Sequence, residues 1–318
     1  MIRNILKRIQ HFGLPVFFWQ FITNKVSKNS NAQSALEVRK HTAIKNKLVS
    51  SLDFDFDSYS NSQQNEIVER PAIWYFWWDG KDNLPDVCLH CLKSIEMNCC
   101  ERKVIFVDKN NYRDFVKIHP VIEKKFKEGI IPIQQFSDVL RVELLKTYGG
   151  LWLDATMFIT SDLETELNSR FFTLKHGAQT RFVSNGRWSI SCIGAEKEHP
   201  LFMFLSDAFK RYYSKYNSLV DYFLMDYLVD IAYENIPRVS DDVDSIVKNN
   251  PDVYFLQNNF DQKFDPVKFK KIALETKIFK LNWKVKGRDT LASEDSYAYY
   301  LSTLIDQNKD DFYRLKDN

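Results

Sequence analysis

Three short apolar runs, each stopped by an aspartate and separated by helical stretches, constrain the fold of this chain most. Residues 72–78 (AIWYFWW) stop at Asp79-Gly80, residues 103–108 (KVIFVD) end on Asp108, and residues 151–155 (LWLDA) contain Asp154. Short runs rich in β-branched and aromatic residues, bounded by turn formers, read as strands buried on both faces. Between them DVCLHCLKSIEMN, NYRDFVKI, VIEKKFKEG and residues 136–150 carry helical spacing. In the last, Ser137 is the expected N-cap, Asp138 favours the positive end of the helix dipole, and Gly149 is the expected stop. Alternating strands and helices predict an α/β fold, a mainly parallel sheet flanked by helices. In such sheets ligands gather beyond the carboxyl ends of the strands, where Asp79, Asp108 and Asp154 fall.

The rest of the chain reads less regularly. Residues 187–195 (RWSISCIGA) are expected as a strand, and 200–215 and 218–232 as helices. Residues 277–286 (KIFKLNWKVK) alternate, with Lys280 and Lys284 on one face and Leu281 and Trp283 on the other. A helix over about 293–305 lies within a C-terminal helical segment, 291–318.

Charge divides the molecule further. The net charge is +2, yet residues 1–50 hold nine lysines and arginines against Glu37 alone, so the remainder is acidic. The first helix, MIRNILKRIQHF, sets Ile2, Ile5, Leu6 and Ile9 on one face, with Arg3, Lys7 and Arg8 opposite. LPVFFWQFI follows, too short for the roughly 20 residues that cross a bilayer. This basic amphipathic N-terminal region, 1–50, is expected to rest on an anionic membrane surface. Residues 51–69 read as a linker, overlapping the polar stretch 50–66 (SSLDFDFDSYSNSQQNE), and the main domain spans 70–290.

Five cysteines, an odd number, and no secretory leader pattern point to a reducing, cytoplasmic setting at the inner face of the cell membrane. Cys88 and Cys91 fall within a helix, so small buried apolar side chains are expected there rather than zinc ligands. Near-neutral charge, and no interleaving of basic and aromatic residues in the main domain, exclude a nucleic-acid binder.

The chemistry concentrates in FSDVLRVELLKTYGGLWLDAT, residues 136–156. Asp138 and Arg141 share a helix face, Gly149-Gly150 permit a tight turn, and Asp154 emerges from the next strand. A carboxylate there can accept a sugar hydroxyl or bind a metal ion held on a pyrophosphate.

This segment resembles the S-D-x-x-R…Y-G-G-x-W-L-D signature of the capsular polysaccharide synthesis glycosyltransferases, a group similar to the Och-type mannosyltransferases and, more distantly, to glucosylating toxins. Ile73–Gly80 with Pro85 resembles the opening motif of that family. Weaker matches are Ile193-Gly194-Ala195 with His199-Pro200, Asp221-Tyr222-Phe223-Leu224, and Lys280-Leu281-Asn282-Trp283-Lys284. The resemblance runs over about 70–286 and leaves out the N-terminal 60 or so residues. It implies a GT-A-like, Rossmann-related fold and a hexosyltransferase. Such an enzyme would take a UDP- or GDP-hexose donor and extend a lipid-linked bacterial surface glycan with retention of configuration.

By the same resemblance, Trp77 stacks on the nucleobase and Asp138 and Arg141 hold donor hydroxyls. Asp154 matches the first aspartate of the D-x-D motif. Thr156 stands at the second, so Asp154 and Thr156 would face a Mn²⁺ or Mg²⁺ ion, although a hydroxyl is a poorer ligand than a carboxylate. Lys280 and Lys284 are candidates for the diphosphate, Trp283 for the substrate, and Asp221 and Asp226 for the acceptor edge. Two alternatives stay open: an inverting transferase, and an inactive homologue serving as a glycan-binding or scaffold subunit.

Overall fold

The computed structural model describes residues 2–26, 31–60, 72–177, 181–284 and 295–307. First come α1 (Ile2–Phe12), α2 (Leu14–Thr23), α3 (Asn31–Leu52) and the single turn α4 (Asp57–Ser60). Next are β1 (Ile73–Phe76), α5 (Asp86–Met97), β2 (Val104–Val107), α6 (Tyr112–Phe115), α7 (Pro120–Lys127) and α8 (Ile133–Tyr148). β3 (Gly150–Leu153), β4 (Met157–Ile159), α9 (Glu164–Leu167), β5 (Phe171–Thr173) and β6 (Cys192–Ala195) follow. The last part holds α10 (Pro200–Lys215), α11 (Leu224–Asn235), α12 (Pro237–Ser245), α13 (Phe255–Asn259) and α14 (Pro266–Ala273). β7 (Ile278–Lys280) and α15 (Tyr297–Gln307) close it.

The expected α/β architecture is present. The main sheet has the order β2-β1-β3-β6-β5, with β2, β1 and β3 parallel and β6 antiparallel to both its neighbours. β1 reads as an unbroken apolar run because both its faces are covered. Trp74 and Phe76 enter the core built with α8, α10 and α11, while Ile73 and Tyr75 enter a second core on the α5 side. The chain passes from β1 to β2, then crosses back over β1 to β3. The strand order reverses between β1 and β3, and a crevice opens at their carboxyl ends. A second, two-stranded sheet pairs β4 with β7, Met157 opposite Lys280.

The N-terminal helices are part of the same body. Phe12 and Val16 join the larger core, as do Ile44, Leu48 and Leu52 of α3, spaced four apart on one face. Lys45 of α3 pairs with Asp230 of α11 at 2.6 Å, and His41 Nδ1 lies 2.8 Å from the Tyr227 hydroxyl. No helix among the described residues is long and apolar enough to cross a membrane.

Several boundaries differ from expectation. The stretch expected as a linker is docked at its start: Phe54, Phe56 and Tyr59 pack on Phe204 of α10, at centroid separations of 4.9, 5.8 and 5.5 Å. Its remainder, 61–69, lies outside the described residues. α6 is one turn, because Val116 is already extended. α11 starts at Leu224 rather than 218, since Ser218–Phe223 is spent on other bonds: Tyr212 Oη donates to Ser218 O and accepts from Val220 N–H. β6 begins at Cys192, opposite Leu153 at the end of β3, and β7 ends at Lys280 because β4 offers it only three partners. The alternation of 277–286 therefore survives as Ile278 in one core and Phe279 in another, and Val285 and Lys286 lie outside the described residues. The C-terminal helix is observed as α15, with 308–318 outside the described residues. Cys88 and Cys91 are fully buried in α5, as expected of small apolar side chains.

Candidate active site

The helix that carries Asp138 and Arg141 starts earlier than its sequence suggests. Pro132 is the N-cap of α8, and the Phe136 N–H already donates to Pro132 O at 3.0 Å. Ser137 is therefore inside the helix, and Asp138 stands in its second turn rather than at its dipole end. Asp138 and Arg141 still share a face, 3.4 Å apart.

α8 ends at Gly149 (φ 67°, ψ −157°). Positive φ is one reason for glycine here, and proximity is the other. A Cβ on Gly150 would come within 2.3 Å of Ala72 O, and one on Gly149 within 2.8 Å of Ala195 O. This close pass lays β3 against β1, with Leu153 opposite Tyr75, and Asp154 follows at the end of the strand.

Asp154 is the hub. Its Oδ1 accepts from Arg141 at 3.1 Å and from the Trp152 indole N–H at 2.9 Å, while Oδ2 accepts from Lys280 at 2.7 Å. Lys280 is delivered by β7, and the next residue, Leu281, donates its N–H to Thr156 O at 2.8 Å. The Arg141 guanidinium lies 4.8 Å over the Trp152 ring and donates to Ile190 O. Cation–π contact and hydrogen bonding together fix its orientation.

These groups face a cavity of about 780 Å³, within the range of small-molecule sites. Trp77 and Trp283 meet edge to face at 5.3 Å on its wall, and Lys284, 5.5 Å over the Trp283 ring, lines it too. Thr156 and Asp226 also line it. Asp221 does not. It is turned away to accept the Phe223 N–H at 3.1 Å, a turn before α11, and lies 4.0 Å from Lys40 of α3. Asp108 is likewise outside the lining, its Oδ1 bonded by the Asn110 and Asn111 N–H groups. Asp79 lines the cavity and pairs with Lys109 at 3.2 Å.

The lining also holds residues that were not foreseen, Trp188, Gln135 and Tyr222 among them. Trp188 donates its indole N–H to Asp226 at 3.0 Å. Gln135 donates to Tyr222 O at 3.0 Å, and its buried Oε1 has no hydrogen-bond partner among the described residues. Tyr222 stands exposed at the rim. The R-W-S-I-S stretch and the D-Y-F-L-M-D spacing were visible signals, but their pairing across the fold was not.

Electrostatics separate the carboxyls. Burial pushes Asp138 up to about 7, with Arg141 pulling the other way and Asp154 and Asp226 reinforcing the rise. Burial also lifts Asp226 to about 6, against the Trp188 bond and Arg141. Asp154 goes the opposite way. Burial would raise it, but the charges of Lys280 and Arg141, with the Lys280 and Trp152 bonds, hold it below the usual carboxylate range.

The residues present do not fit a divalent cation at Asp154. Both its oxygens are engaged, and Thr156 offers only a hydroxyl, whereas hard cations bind through oxygen ligands led by carboxylates. Among the described residues no group of three or more His, Cys, Asp or Glu side chains is placed to hold a metal ion.

A family model described as capsular polysaccharide synthesis protein matches residues 24–301, taking in α3, which the sequence resemblance had left out. No curated protein and no solved structure matches.

Proposed function

The chain belongs to the capsular polysaccharide synthesis family, and from that premise we propose that it is a glycosyltransferase of capsule assembly. It moves a hexose from a UDP- or GDP-sugar to a growing lipid-linked glycan, with retention of configuration. The observation that carries this reading is the cluster Asp138–Arg141–Asp154–Lys280 at the strand-order reversal, beside the Trp77–Trp283 pair. Aromatic faces suit a nucleobase, paired carboxyls suit sugar hydroxyls, and cations suit a diphosphate. In a transfer reaction the developing charge on the leaving diphosphate has to be met by fixed positive groups, and these are already oriented by their bonds to Asp154. The fold this reading assumes is GT-A-like.

Incubation of the purified chain with a panel of UDP- and GDP-sugars tests it. Slow hydrolysis of one donor without acceptor, and faster turnover with a glycan acceptor, are expected. Absence of turnover across the panel, with and without acceptor glycans, would favour a non-catalytic glycan-binding role.

We further propose that the chain docks peripherally on the anionic inner face of the cell membrane. Leu6, Leu14, Phe18 and Phe21 of α1 and α2 are more than half exposed, and Lys25 lies 5.6 Å over the Phe21 ring. Apolar side chains flanked by basic groups suit the boundary between headgroups and acyl chains.

A further inference from the structure

Resting on the glycosyl-transfer reading above, we propose that Lys280 with Arg141, and not a divalent ion, binds the donor's diphosphate, so that nucleotide binding and transfer proceed without metal. A D-x-D pair would hold its cation beside its first aspartate, here Asp154. There Lys280 Nζ sits 2.7 Å from Asp154 Oδ2, and Arg141 sits 3.1 Å from Oδ1. Two cations share one carboxylate. Even with Asp138 counted as ionised, these four side chains sum to zero, whereas a site for a divalent ion presents net negative charge. An incoming metal would have to displace Lys280 from a charge-assisted bond and then face Arg141 at close range.

Lys280 has capacity left for an anion. An ammonium has three donors, one of which serves Asp154, and Lys280 lines the cavity with about a quarter of its side chain exposed. Lys284 lines the same wall and adds a second ammonium. Asp154 then has a role different from metal binding: it orients Lys280 and Arg141. In the transfer step the bond from the anomeric carbon to the β-phosphate oxygen breaks, and its electron pair stays on that oxygen, stabilised by the ammonium of Lys280. The acceptor oxygen bonds to the anomeric carbon and its proton passes to a phosphate oxygen of the leaving group. The products are the glycosylated acceptor and a nucleoside diphosphate.

Calorimetric titration of the full chain with UDP and with GDP, in EDTA and then in Mn²⁺, tests this directly. For whichever nucleotide binds, dissociation constants in the two conditions are expected to agree within about twofold, since a required metal would couple reciprocally to nucleotide affinity. Lys280→Ala is expected to weaken binding in EDTA by about tenfold or more, and Lys280→Arg to recover most of it. The thermal midpoint of each variant reports its folding, and the unmodified chain carries the comparison of EDTA with Mn²⁺ by itself. Binding that requires Mn²⁺, or that is untouched by Lys280→Ala, overturns the proposal while leaving glycosyl transfer standing. If neither nucleotide binds under any condition, both readings fall.

Discussion

Asp154 takes bonds from a helix, from its own strand and from the distant β7, and each bond supplies part of its low proton affinity. Asp154→Asn keeps the shape but leaves two neighbouring cations sharing a neutral amide. Donor turnover is expected to fall by about a hundredfold or more, and stability by about 1–3 kcal/mol, read by donor hydrolysis and urea denaturation. Unchanged turnover would remove Asp154 from the site. Asp138 behaves oppositely. Its folded value, about 7, lies above the unfolded one, so the folded state holds its proton more tightly. The resulting stabilisation is complete below the unfolded value and is lost as pH rises through 7. Asp138→Asn, permanently neutral, should therefore gain on the parent between about pH 4 and pH 7, by about 1.4 kcal/mol per pH unit, and keep a constant lead above that. Denaturation midpoints at both ends check this, and a gap independent of pH would contradict it. Asp138, Arg141 and Asp154 were legible because one helix, one turn and one strand join them. The Lys280 bond spans 126 residues and needed the fold, although Lys280 itself was a candidate by its strand face. Asp221 and Asp226 looked equivalent in sequence, and only packing shows that one turns towards α3 and the other into the cavity.

Among the elements, the turn from α8 into β3 is the least forgiving. Gly150→Ala would push a methyl into Ala72 O, at a backbone φ of 98° that side chains rarely adopt. The β1–β3 approach must then open, and a loss of about 3 kcal/mol or more is expected in chemical denaturation. A variant as stable as the parent would show that β3 can shift without cost. The pair Gly149-Gly150 stood out in the sequence, as did β1, β2 and β3, because continuous apolar runs between turn formers have few other readings. Helix starts were harder. Local residues nominated Ser137 as a cap, but Ile133 and Phe136 continue the apolar face of α8 backwards to Pro132, and packing decided the boundary. The start of α11 failed for a similar reason, since the Tyr212 hydroxyl competes for the backbone of Ser218–Val220.

At the scale of the molecule, the basic head and the acidic body were visible as charge, but their union was not. Phe12, Val16 and Leu48 are core residues, so removing the N-terminal helices would open the main core rather than merely detach an anchor. Membrane docking is better tested with the fold intact. The double change Phe18→Ser and Phe21→Ser should leave the thermal midpoint close to that of the parent and shift the chain from anionic liposomes to the supernatant. Sedimentation at low salt measures it, and continued pelleting would place the contact elsewhere. The pairing of β7 with β4 carries a consequence for how the protein comes into being. Synthesis proceeds from the N-terminus, so Arg141 and Asp154 leave the ribosome well before Lys280. Until β7 arrives, the nascent sheet holds a carboxylate that lacks one of its two cations. Arrival of β7 and completion of this charge balance are therefore one event, and a translation product cut short before residue 278 would keep every strand of the main sheet yet carry only half of the anion clamp.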